Sequence, residues 1–306
     1  MAIPDEILSE IDARLPQALT LTVGRVQETA LEAFHLVLAD NAASALRGHC
    51  ETTRERIADA APIPYTATAE LAGGQYFLID DEDTLNELTA FRQLSENLGS
   101  ISQITPADLD LAVKMYAVTI GDGPTRTSFV RRTDPQLRHR SGRVFAIGQE
   151  RLSAIEGPVF AFSADFDFVF GDGWVVVLDQ RSFEVLFRQI GLVEQHISTW
   201  ISGITDHLPM NAASVAALRE VALRDSRTWR RLRDIEHRGH LASVTLDEVR
   251  DYAGHVGLEP DKVVVDDELV FDPAERFGFL HLLNEDLYTG PLTGEAFESQ
   301  RKSSME

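Results

Sequence analysis

The stretch Gly157–Phe187, GPVFAFSADFDFVFGDGWVVVLDQRSFEVLF, constrains the fold more than any other part of the chain. Seven of the 16 phenylalanines and one of the three tryptophans lie in it. Phe166, Phe168 and Phe170 alternate with Asp165, Asp167 and Val169, the period of two that marks a strand. Gly171-Asp172-Gly173 follows, and an Asp-Gly between apolar runs is a hairpin signal, because few residues take positive φ cheaply. Trp174–Leu178 is apolar at every position, which predicts a strand covered on both faces. From Asp179 the period becomes helical: Phe183, Leu186, Phe187 and Ile190 share a face, with Asp179 or Ser182 as the cap. Hairpin and helix together are the expected centre of the core.

The rest of the chain reads as α+β: a mixed β-sheet with hairpins in the N-terminal two-thirds, then a helical C-terminal part. A helix is predicted over 4–15, strands over 18–26 and 31–39, the second of which also reads as helical, and a helix capped by Asp40 to about residue 59. Ala60–Pro64 reads as a break, and Tyr65–Leu71 with Gln75–Ile79 as a hairpin around Gly73-Gly74. An acidic start at Asp80–Asp83 predicts a helix to about Leu98, and Thr105–Asp108 has capping-box spacing. Leu111–Ile120 and Arg126–Arg132 read as strands joined through Gly121–Pro124, and Arg143–Ile147 as a short strand. After Phe187 one long helix is expected to about Gly203. A single helix is expected over 211–236, a capping box at Thr245–Glu248, a small hairpin around Asp266-Asp267, and a helix over 276–283. The expected domains are 1–195, mixed α+β, and 196–300, mainly helical, with a disordered tail over 301–306.

Charge narrows the function. The net charge is −21, with 49 acidic residues against 28 Lys and Arg. Only Lys114, Lys262 and Lys302 are lysines, so the positive charge is almost all Arg. Nearly half of it falls in two windows, Arg126–Arg143 and Arg219–Arg238. No apolar run approaches the roughly 18–20 residues of a membrane span. Cys50 is a lone cysteine, and the acidic N-terminus is unlike a signal peptide. The expectation is a soluble, cytoplasmic protein.

In the first window Arg126, Arg131, Arg132, Arg138, Arg140 and Arg143 are interspersed with Thr, Ser and Gln around one acid, Asp134. Guanidinium forks bind phosphate oxygens in pairs, so this pattern suits contact with a DNA backbone. The competing reading is that these arginines pair with the chain's many carboxylates. In the second window Arg227, Arg230, Arg231 and Arg238 form a possible secondary surface. There the preferred reading is a solvated helix with i,i+4 pairs such as Arg230–Asp234. Asp165 and Asp167, at i and i+2 of a strand, would share a face and meet a cation. They are the basis of an alternative reading as a metal-dependent nucleic-acid enzyme, although exposed edges of a half-buried strand explain the pair more simply. His237-x-x-His240 lacks an evident third ligand. No metal, cofactor or catalytic residue is assigned, and no phosphate-binding loop or nucleophile elbow is present.

The hairpin FDFVF-GD-GWVVVLDQRSFEVLF, with Phe183-Glu184 opening its helix, resembles the Kiwa protein KwaB-like family. A second matching block is Phe279–Asp286 followed by Leu292-Thr293-Gly294-Glu295-Ala296-Phe297-Glu298, and Thr245–Tyr252 also fits. The resemblance covers roughly 110–302. It implies an antiphage defence effector that binds DNA without strong sequence preference. It also implies work alongside a small transmembrane partner, with recruitment to the inner face of the membrane. A homo-oligomer is expected, both from the resemblance and from the long apolar stripe of 183–204. A protein-binding adaptor, whose Arg surfaces meet an acidic partner, stands as a further alternative.

Overall fold

The computed structural model describes residues 4–27, 30–66, 69–88, 101–104, 113–121, 125–133, 138–139, 145–148, 151–154, 159–160, 162–189, 191–289 and 296–298. The chain divides into two compact units, residues 1–64 with 71–190 and residues 65–70 with 191–306. The fold is α+β, with a mixed sheet in the first unit and helices dominating the second.

Among the described residues the main sheet of the first unit has nine strands: β1 (Leu19–Gln27), β2 (Ala30–Leu36), β3 (Ala61–Pro64), β4 (Gln75–Ile79), β5 (Ser102–Ile104), β6 (Val113–Ile120), β7 (Thr127–Arg132), β8 (Phe168–Gly171) and β9 (Trp174–Val177). Their order is β3-β4-β9-β8-β7-β6-β1-β2-β5. The β8–β9 hairpin therefore lies inside the sheet, antiparallel to β7 on one side and β4 on the other. Among the described strand pairs of this sheet only the outermost, β3–β4 and β2–β5, are parallel.

Both faces of the hairpin are covered, as its unbroken apolar pattern requires. Helices α1 (Pro4–Arg14) and α2 (Asp40–Ala58) supply Ile7, Ile11, Leu46, Cys50 and Ile57 to a cluster with Val169, Trp174 and Val176. The other face carries Phe168 and Phe170. Phe168 meets Phe183 of α4 (Gln180–Gln189) edge to face at 5.2 Å. Gly173 turns the hairpin at φ 77°. Gly171 has another reason: a Cβ there would lie 2.4 Å from the Trp174 indole. Asp179 caps α4 by accepting from the Ser182 N–H at 2.7 Å.

Several expectations are corrected. β8 begins at Phe168, not Phe166. Ala61–Pro64 is an edge strand rather than a break, where Pro62 and Pro64 are tolerated because one side of the strand needs no donors. Gln75–Ile79 pairs with that strand and with β9, not with Tyr65–Leu71. The helix opening at Glu82 (α3, Glu82–Glu87) is described only to Leu88. The segment opening at Thr105 lies outside the described residues, as do 301–306.

In the second unit, α5 (Leu192–Thr205) is separate from α4, with Gly191 at φ 78° before it. The helix expected over 211–236 is two, α6 (Ala212–Arg224) and α7 (Ser226–Arg238). Asp225 breaks it: its backbone is extended, and its side chain takes the Arg227 N–H and the Thr228 hydroxyl. Helix α5 packs on α7 through the stacked rings of Trp200 and Trp229, 5.7 Å apart. Gly203 permits this approach, since a Cβ there would lie 2.7 Å from the Glu236 backbone. Helix α8 (Leu246–Ala253) opens with the predicted Thr245–Glu248 capping box. A short helix α9 (Pro260–Val263) and the final helix α10 (Arg276–Leu283) follow. Asp266 and Asp267 take positive φ between Val264–Val265 and Glu268–Leu269, so the small hairpin forms as expected. Apart from Ile190, which lies outside the described residues, the apolar stripe of 183–204 is buried within the chain. It leaves no surplus face to argue for a second copy.

Candidate nucleic-acid interface

The first Arg window spans β7, with Arg126 just before it and Arg131 and Arg132 at its end. Arg126, Arg131 and Arg132 are half-buried, Arg138 lies on a two-residue strand paired with Val159–Phe160, and Arg140 and Arg143 fall outside the described residues. What organises this end of the sheet is Asp167, which is fully buried. Its Oδ1 accepts from Arg131 Nη1 at 2.7 Å and its Oδ2 from the Arg132 backbone N–H at 2.6 Å. Its own N–H reaches the Val130 carbonyl, and its carbonyl accepts from the N–H groups of Leu178 and Asp179. Asp167 thus ties the end of β7 to the junction between β9 and α4. Arg132 extends Nε towards the Ser182 hydroxyl at 3.4 Å, the outer limit of a hydrogen bond.

Burial raises the Asp167 carboxyl to about 6, and the Arg131 guanidinium and Arg132 N–H oppose that rise without cancelling it. The side chain of Arg131 keeps 26% of its surface exposed, so its charge is shared between a buried carboxylate and solvent. Asp165 is exposed while Asp167 is enclosed by these partners, so the two do not share an open face. Among the described residues no group of three His, Cys, Asp or Glu stands close enough to hold a metal ion.

In the second Arg window Arg224 pairs with Glu220 on the exposed face of α6, as a solvated helix would, but the α7 part is not solvated. Helix α7 buries Arg230, Arg231 and Arg233 along with Trp229, Leu232 and Ile235. Three arginines at i, i+3 and i+6 grip the passage 65–70: Arg227 reaches Glu70 at 3.5 Å, Arg230 the Ala69 carbonyl at 3.0 Å, and Arg233 lies over the Tyr65 ring at 4.7 Å. Two more, a heptad apart, grip the end of α10. Arg231 pairs with buried Asp286 at 3.0 Å, and Arg238 reaches the Asn284 carbonyl at 2.8 Å and Glu285 at 2.7 Å. Of the four residues read as a secondary surface, Arg230 and Arg231 are buried ties, and Arg227 and Arg238 are partnered at the margin. Sequence reasoning missed Asp167 and Asp286 as the carboxylates that hold these arginines. Their partners lie 36 and 55 residues away, beyond any local spacing rule.

The fold and site together define an α+β protein whose central hairpin anchors an arginine-bearing sheet end. The chain matches no family model, no curated protein and no solved structure. Among the described residues no helix is long and apolar enough to cross a membrane.

Proposed function

We propose that this protein binds duplex DNA through phosphate contacts, without strong sequence preference, as a non-enzymatic effector of antiphage defence. The supporting observation is the adjacent pair Arg131 and Arg132, both partly open to solvent at the end of β7, with Asp167 binding Arg131 through its guanidinium and Arg132 through its backbone N–H. An anchored guanidinium, here that of Arg131, loses less freedom on meeting a phosphate than a mobile one. Arg126 precedes the pair, and Arg138, Arg140 and Arg143 follow it along the chain. The KwaB-like resemblance of the hairpin points to the same activity, to a small transmembrane partner and to a homo-oligomer.

A gel-shift experiment with unrelated duplexes of equal length, with and without Mg²⁺, tests this reading. The expected result is a shift of every duplex at low salt and no cleavage with Mg²⁺. Absence of any shift at low salt rules out DNA binding, and Mg²⁺-dependent cleavage replaces the effector with a nuclease.

A further inference from the structure

The second unit holds a cavity of about 420 Å³ between α8 with the turn after it and the end of α10, within the usual size of a small-molecule site. Its floor is apolar and buried: Leu241, Val249 and Leu283. At its margin stands Tyr252, 59% exposed, with its ring 5.5 Å from that of His255.

The charge of the wall follows from the hydrogen bonds. His281 lines the cavity, and its Nε2 lies 3.0 Å from Arg231 Nη2. Arginine only donates, so Nε2 accepts and His281 is the neutral tautomer with its proton on Nδ1. Arg231 is held in turn by Asp286, and Asp286 by the Asn284 amide at 2.9 Å. The charged groups left in the wall are carboxylates, Glu248 and Glu285. Glu285 is partly neutralised by Arg238. Glu248 accepts from the Thr245 N–H and hydroxyl on Oε2, which leaves Oε1 outside the cap. Those bonds, the backbone N–H first, hold its carboxyl below the ordinary glutamate value. No Lys or Arg stands among the described residues that line the cavity.

We propose that this cavity is a binding site for a small organic cation with a flat apolar body. The body lies on Leu241, Val249 and Leu283, and the cationic head sits between the Glu248 carboxylate and the face of Tyr252. A carboxylate and an aromatic face both attract a cation, and the same carboxylate repels an anion of equal shape. This site is independent of the DNA-binding surface.

Titration calorimetry on the full chain tests it with three probes that share an indole body: tryptamine, 3-ethylindole and indole-3-propionate. Tryptamine is expected to bind about tenfold more tightly than 3-ethylindole, with indole-3-propionate weakest. Glu248→Gln preserves the capping box, because a Gln carbonyl accepts the same bonds, and is expected to remove most of the tryptamine preference. Tyr252→Ala, at an exposed position, is expected to weaken both tryptamine and 3-ethylindole. Equal affinity for the three probes would overturn the proposal. So would tryptamine binding unchanged in both variants, or no tryptamine binding at about 1 mM, the weak end of specific recognition.

Discussion

A single carboxylate sets the electrostatics of the sheet end. Asp167 titrates near 6 in the folded protein because burial outweighs its pairing with Arg131. A carboxyl raised above its unfolded value binds more protons folded than unfolded, so its contribution falls as pH rises through that window. Between about pH 4 and pH 6 the protein is expected to lose up to about 3 kcal/mol relative to Asp167→Asn. Urea melts of both proteins across this range would show the curves diverging; parallel curves would mean that Asp167 titrates normally. Arg231 illustrates the opposite hazard. Its removal strands Asp286, which is fully buried. Arg231→Ala is expected to cost about 3–5 kcal/mol, whereas Arg231→Met with Asp286→Leu should recover most of that loss. A single-variant loss under about 1 kcal/mol in denaturant melts would show the pair to be dispensable.

At the scale of elements, the hairpin carries the sheet. Phe168 faces α4 and Trp174 faces α1, where its indole N–H donates to Glu10 at 2.9 Å. Phe168→Ala and Trp174→Ala are each expected to cost about 3–5 kcal/mol. Gly171→Ala should also destabilise, by about 1–3 kcal/mol, because the added methyl meets the Trp174 ring. Losses below about 1 kcal/mol in denaturant melts would make the hairpin peripheral. This element was legible in the sequence because its signals are local: alternating Phe, an Asp-Gly turn, then a helical period. The split between α6 and α7 was not, because Asp225 sits in a run whose composition favours one helix and only its capping geometry ends it. Pro62 and Pro64 misled for a related reason: a proline reads as a break until a neighbouring strand makes its position an edge.

On the scale of the whole molecule, the sequence showed where the positive charge concentrates but not what it does. Arg126–Arg143 and Arg219–Arg238 look alike in one dimension. Folding buries Arg230, Arg231 and Arg233 of the second as ties and leaves Arg131 and Arg132 of the first half-open. A chain of net charge −21 repels DNA at long range. Beyond about 10 Å that repulsion is largely screened at 0.1 M salt, so a local arginine cluster can still capture phosphate. Arg131 also neutralises buried Asp167, so its removal alone would confound binding with stability. The direct test therefore compares Asp167→Asn with the triple variant Arg131→Ala/Arg132→Ala/Asp167→Asn, measuring duplex-DNA affinity against salt by fluorescence anisotropy. If the end of β7 is the contact surface, the triple variant binds every duplex more weakly, and its log–log salt slope is flatter by up to about two units. If its affinity and slope match those of Asp167→Asn, these arginines are structural and the sheet end does not bind DNA.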